Sequence, residues 1–398
     1  MQEARLGDRR LFPHLEARVY LAHAAISAPS LPVEQAVSEI VRDYAKRGMQ
    51  AYPAWRDKRA QLREKIAQLI HAEPGDIAFT LSTTRGISDI ALCLPWKAGD
   101  RILSFIGEFP ANVTPFQQAA QRFGLRMDML PLDGFFEGDG SAGLLVLEEA
   151  LKQGARLVSV SAVQFQTGLR MPLREMAELC HRHGAEISVD GIQACGAVPV
   201  DVRGSGIDYL VCGSHKWLMG LEGAGFVYIR PDRLEHLRPT VAGWLSHEDG
   251  LAFLFQGAGH LRYDRPIRKK ADFLEGGNVN AAGLAALSAS LDLIQQLGVE
   301  AIFGHVQAYL DPLERGLVER GFVSARSKHP ARCSCTLSVL PPADVDLGGL
   351  QRALSQEGII CSTPDGYLRF APHWPNALEE VPVVLEAVDR CVAGSANA

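Results

Sequence analysis

The stretch Tyr209-Leu210-Val211-Cys212-Gly213-Ser214-His215-Lys216-Trp217 decides the fold. An apolar run enters a small, polar turn that ends on a lysine. A continuous run of this kind suits a strand covered on both faces. A lysine just past such a strand is unusual, because an ammonium there must be paired or neutralised. Working outward, the same texture recurs at 77–82, 101–106, 125–130, 156–163, 186–190 and 225–230. Helix-like segments at 87–94, 113–122, 143–152 and 173–183 lie between most of these runs. The alternation predicts an α/β body with a mostly parallel, seven-stranded sheet and its ligand site outside the carboxyl ends of the strands. Two helices, 33–50 and 55–71, precede the sheet. After residue 280 the pattern changes to helices at 281–297, 301–320 and 347–356, with strands at 333–340, 359–362 and 367–371. That is an α+β pattern, so a large domain is expected over 31–289 and a smaller C-terminal domain over 290–398.

The chain has 398 residues, more than one core usually serves. An apolar fraction of 47% with 22% charged residues excludes a disordered or fibrous chain. Forty basic against 46 acidic residues leave a formal charge of −6 without a block of one sign, so nucleic acid is not an expected partner. No apolar run reaches the ~18 residues of a spanning helix, and no membrane partner is expected. Residues 1–10 are charged, without a signal-like run, and the eight cysteines are scattered. Together these features predict reduced thiols and a cytoplasmic protein. The small, polar end 394–398 is expected to fray.

Lys216 is the first candidate for chemistry. One use of a lysine in this place is a Schiff base with an aldehyde cofactor, where a lowered pKa makes the amine nucleophilic. A lone lysine there would more often be a surface residue in a turn. It is not alone. Ile187-Ser188-Val189-Asp190-Gly191-Ile192-Gln193 closes another apolar strand with a carboxyl group and, three residues on, an amide. Pyridoxal phosphate needs an acid at its pyridine nitrogen, and Asp190 can fill that role. Gln193 can serve the phenolate oxygen or the Schiff-base region. Without the lysine, Asp190 would read equally well as a helix cap. Leu81-Ser82-Thr83-Thr84-Arg85-Gly86-Ile87 follows a strand and opens a helix, so free N–H groups and two threonine hydroxyls make an anion cradle. Neither GxxxxGK[ST] nor a GxGxxG after a strand is present, which weakens nucleotide readings.

On Asp190-x-x-Gln193, Ser214-His215-Lys216-Trp217 and Gly223-Ala224-Gly225, the chain resembles the class V aminotransferase group of fold-type I pyridoxal-phosphate enzymes. That group includes cysteine desulfurases, selenocysteine lyases, kynureninases and isopenicillin-N-epimerase-like proteins. The resemblance spans about residues 20–376. It implies pyridoxal 5'-phosphate as cofactor, bound to Lys216, with Asp190 at the ring nitrogen and Thr83, Thr84 and His215 at the phosphate. It implies that Phe109, in Glu108-Phe109-Pro110-Ala111-Asn112, stacks on the ring where desulfurases carry histidine. Gln164 stands in for an asparagine near the phenolate oxygen, and Ser214 for a serine that relatives place one residue earlier. Arg369, in Leu368-Arg369-Phe370-Ala371-Pro372-His373, is implied to grip the substrate carboxylate, which an arginine fork suits. Asn278, in Gly276-Gly277-Asn278-Val279-Asn280, matches a loop reaching the partner subunit's phosphate, so a homodimer with shared active sites is implied. Residues 1–30 would cross the active-site mouth, where His23 is as readily structural as catalytic.

The implied activity is amino-acid chemistry through an external aldimine and a Cα carbanion, of the class V aminotransferase type. The alternatives are a C–S or β-lyase, a cysteine desulfurase, or an amino-acid epimerase. Desulfurases use a mobile cysteine. Cys361 is the candidate nearest Arg369 in sequence, but it falls within an apparent strand and reads as structural. No metal is expected: His181-Arg182-His183 does not place two ligands on one helix face, and Cys333-Ser334-Cys335 alternates faces.

Overall fold

The structure, a computed structural model, describes residues 3–395, and the fraying expected at 394–398 falls largely outside them. A short strand β1 (Val19–Tyr20) precedes two helices, Leu31–Arg47 and Tyr52–Ile70. Then come β2 (Ile77–Thr80), β3 (Arg101–Phe105), β4 (Arg126–Leu130), β5 (Leu157–Ser161), β6 (Glu186–Asp190), β7 (Tyr209–Gly213) and β8 (Gly225–Ile229). Among the described residues these seven form one sheet in the order β2-β8-β7-β6-β5-β3-β4. Strands β4, β3, β5, β6 and β7 run parallel, and β8 runs antiparallel to both β7 and β2. Every residue of β2, β3, β5, β6, β7 and β8 is buried, whereas edge strand β4 is partly exposed. Burial on both faces is why these runs are continuously apolar instead of alternating. Register sets Ser161 beside Asp190 and Asp190 beside Val211, so the carboxyl ends of β5, β6 and β7 share one rim.

Helix Thr83–Cys93 begins four residues before its apolar pattern, because Ser82 caps it by accepting from the Arg85 N–H at 3.1 Å. It lies very close to the sheet. A Cβ on Gly86 would sit 2.5 Å from Val211 Cγ1 and 2.8 Å from Val227 Cγ2.

Helices Ala281–Leu297 and Val299–Glu319 meet at 77°, with the turn at Gly298, whose φ of +81° suits glycine. Beyond them lie β9 (Val323–Ser324), β10 (Leu337–Leu340), β11 (Ile359–Ile360) and β12 (Leu368–Phe370). Strands β12, β10 and β9 form an antiparallel sheet, and β1 pairs in parallel with β11. The strand expected from 333 starts only at Leu337. Its first residues bond elsewhere: Ser334 Oγ donates to Gly168 O, Gln307 donates to Ser334 O, and Cys335 Sγ reaches Ala197 O. His181 pairs with Asp208 at 2.9 Å and His183 faces Glu148 at 3.7 Å.

Candidate active site

Lys216 sits in a turn pinned from several sides. Ser214 N–H donates to Ala224 O at 2.9 Å and Ser214 Oγ donates to Leu221 O. Ser27 Oγ donates to the Lys216 carbonyl at 2.6 Å, and Ser27 Oγ lies 2.8 Å from His23 Nδ1. The next carbonyl, Trp217 O, lies 2.9 Å from His373 Nε2. Because His373 Nδ1 accepts from the Trp374 N–H at 2.7 Å, the proton belongs on Nε2. The backbone is thus held while the lysine amine, among the described residues, has no hydrogen-bond or ion-pair partner. Its Nζ lies 5.3 Å from the Phe109 ring centroid, and Phe109 packs edge-on against Phe165 at 5.2 Å.

Burial pulls the Lys216 amine down to about 8; Arg369 adds to that, while Asp190 and Cys212 oppose it. Asp190 is 2% exposed, and one of its oxygens accepts from the Ile192 N–H at 2.9 Å. Burial pushes its carboxyl up to about 7; Lys216 opposes the shift and Glu108 adds to it. Both shifts have the same leading cause, loss of water, which disfavours the charged form of each group.

Thr83 is buried, and its Oγ1 accepts from the Gly213 N–H at 3.0 Å, tying the helix start to the lysine strand. Thr84 is exposed in the first turn. His215 is half-buried, and burial lowers its pKa, with Lys216 adding to the effect. Arg369, on β12, is buried; its Nε donates to Ser362 Oγ at 3.0 Å and its Nη1 to Phe165 O at 2.6 Å. No carboxylate pairs with it among the described residues, and burial pulls its pKa down to about 10. A desolvated guanidinium without an anion is a receptor for one.

The structure therefore brings Lys216, Asp190, Thr83, Phe109, His215 and Arg369 to one rim. Two other expected residues are already held by framework bonds. Gln193 donates to Ala24 O at 3.0 Å and accepts from Trp217 Nε1 at 2.8 Å, so its amide joins the N-terminal segment to the lysine turn instead of standing free. Ser214 uses its hydroxyl within its own turn. Asn278 is exposed and lines a groove together with Tyr52 and Trp55. Gln164 is buried and donates to Glu108 Oε1 at 2.8 Å, while its own Oε1 has no partner. Glu108, Ser27 and His373 were not assigned to the site by the sequence. The only signal for Glu108 was a buried-looking acid next to the stacking residue, four positions before Asn112.

These groups suit a phosphorylated pyridine aldehyde. An unpaired amine meets the aldehyde, an acid at a strand end meets a ring nitrogen, and hydroxyls with a helix N-terminus meet a phosphate. Thr83 and Thr84 N–H groups take no backbone partner among the described residues. Gln164 Oε1 is a sealed acceptor still lacking a donor.

The cysteines are arranged differently from a sulfur relay. Seven are buried and Cys333 is half-buried. Burial pushes the Cys361 thiol up to about 12 and the Cys93 thiol up to about 11. Between β11 and β12 the chain has only residues 361–367, and Cys361 is the sole thiol there.

The family described as Aminotransferase class-V matches over residues 19–367. An uncharacterized aminotransferase of Bacillus subtilis (strain 168) is 26% identical over 97% of this chain and 96% of its own length. A probable cysteine desulfurase of Pyrococcus abyssi is 27% identical, with 96% of each chain covered. Two solved structures of C-DES superpose with a TM-score of 0.86 at 25% identity. One has glycine covalently linked to its PLP cofactor and covers 96% of this chain and 98% of that one. The other, described as a cystine C–S lyase with its product cysteine persulfide, covers 95% and 98%.

Proposed function

The chain belongs to the class V aminotransferase family, and from that premise we propose that it is a pyridoxal-phosphate enzyme that transaminates an α-amino acid. When bound, the cofactor supplies an aldehyde for amines and a ring that withdraws charge from Cα. Lys216 offers an amine that is substantially uncharged near pH 8, able to bind the aldehyde and, when free, to take and return a proton at Nζ. Asp190 is the acid for the ring nitrogen. Thr83, Thr84, His215 and the helix start hold the phosphate, Phe109 covers the ring, and Arg369 orients the substrate carboxylate.

The carrying observation is the unpaired Lys216 amine set among Phe109, Asp190 and Arg369. It is also a proton carrier at the rim that no hydrogen bond occupies among the described residues. Phe109 has no proton to give, and burial holds His23 and His373 neutral, the latter bonded through both ring nitrogens. A single carrier returns the proton to the face it came from, which suits transamination better than epimerisation. The test is a visible spectrum of the purified protein with and without borohydride, followed by a keto-acid assay across amino acids. A cofactor band that borohydride removes, with keto acid formed, supports the reading; a colourless protein that takes up no pyridoxal phosphate overturns it.

Elimination at a C–S bond is the second reading. It needs one base and no protein thiol, which matches the buried cysteines here. Pyruvate and ammonia, with sulfide from cysteine or cysteine persulfide from cystine, would favour it. We also propose a cytoplasmic homodimer in which the exposed Asn278 loop serves the neighbouring subunit. A fully active monomer in sedimentation at micromolar concentration would contradict the shared site.

A further inference from the structure

Glu108 carries no role in the chemistry above, yet it is the most heavily bonded carboxylate at the rim. It is 8% exposed. Its Oε1 accepts from the Ser161 N–H at 2.8 Å and from Gln164 Nε2 at 2.8 Å. Its Oε2 accepts from Asn112 Nδ2 at 3.0 Å and from Ser161 Oγ. Asn112 is itself fixed, since its Oδ1 accepts from Ser159 Oγ at 2.7 Å. No lysine or arginine pairs with Glu108 among the described residues. A buried carboxylate without a counter-ion is costly, and the four donors aimed at it offset that cost.

Three consequences follow from that placement. The carboxylate accepts only, so it fixes which end of the Gln164 amide faces it, and the amide oxygen is left as the sealed acceptor. The turn that presents Phe109 is anchored on both sides of the ring-bearing residue, because Asn112 N–H also donates to Phe109 O at 2.8 Å. The charge also stands next to the cofactor acid, since Ser161 and Asp190 are direct neighbours in the sheet.

We propose that Glu108 is a positioning residue of this site: it holds Gln164 with its amide oxygen ready to accept a hydrogen bond from a protonated atom of the bound cofactor, and it keeps a fixed negative charge at the rim. The proposal rests on the pyridoxal-phosphate reading. The titratable group that Glu108 acts on is Asp190, which in turn acts on Lys216. A negative charge there favours the protonated form of whatever the cofactor and lysine make together.

The test is a pH titration of the visible absorption of the holoenzyme, with thermal unfolding recorded alongside. Glu108→Gln removes the charge and opposes amide hydrogens to the existing donors. Its absorption midpoint should fall by about one pH unit, with the band retained. Glu108→Asp keeps the charge and should lie between that variant and the wild type. Gln164→Leu, which removes the acceptor and leaves the charge, should lower the midpoint by a smaller amount, and it serves if Glu108→Gln does not fold. Midpoints that stay at the wild-type value in the folded variants, with only the melting temperature lowered, overturn the proposal. A wild type that never acquires a band with pyridoxal phosphate overturns the cofactor reading and this proposal together.

Discussion

Burial controls Lys216 more than any neighbouring charge does, and that gives its chemistry a pH signature. The apo protein should take up pyridoxal phosphate at a rate that rises with pH around about 8, not around 10.5, as followed by absorbance. Stability carries the same sign. The folded pKa lies below the unfolded one, so the unfolded chain binds more protons between about 8 and 10.5, and this group makes the apo protein more stable as pH rises through that window. Asp190 acts in the opposite sense. Its folded pKa near 7 lies above the ordinary 3.8, so its contribution is full below about 3.8 and is lost as pH rises towards 7. At Arg369, lysine would keep a charge and lose the fork. Arg369→Lys should raise KM for the amino acid about ten- to a hundredfold, by steady-state kinetics, the size of a charged hydrogen bond lost. Cys361→Ser should leave product formation within about twofold of wild type, because a buried thiol held near 12 is not a working nucleophile. Abolished sulfide release in that variant would restore the desulfurase reading.

At the level of elements, the proposed anion cradle depends on how closely helix Thr83–Cys93 approaches the sheet. Gly86→Ala would drive a methyl group into Val211 and Val227, and the helix start would lift from Gly213. The expected result is destabilisation of about 1–3 kcal/mol by chemical denaturation and a weaker hold on pyridoxal phosphate in a binding titration. Unchanged values would show that the contact is soft. Most of the sheet strands were legible because each is a short apolar run followed by a polar turn; β4, at the edge, alternates instead. The helix start at Thr83 was less so, since its first turn carries no apolar periodicity and is defined by the Ser82 cap. The strand expected at 333–336 failed for a different reason. Those residues are β-like by themselves, but their hydrogen bonds go to Gly168 and to Gln307 of helix Val299–Glu319.

Over the whole molecule, the N-terminal segment joins the parts. β1 adds to β11, Ala22 bridges to Ala371, Ala24 O binds Gln193, and Ser27 binds the Lys216 carbonyl. Ser27→Ala should therefore weaken cofactor retention on dialysis and lower stability by about 1 kcal/mol, although residue 27 is far from residue 216 in sequence. The fold class and the candidates Lys216, Asp190, Thr83 and Thr84 were legible in the sequence alone, because each is a local pattern: an apolar run, the residue that closes it, and the turn that follows; Arg369 was a candidate only through the family resemblance. The tertiary structure alone decided which polar groups are already bonded. It occupied Gln193 and Ser214 with framework bonds, withdrew the thiols from solvent, and built the carboxylate network around Glu108. Such bonds join residues tens to hundreds of positions apart, and no local spacing encodes that distance.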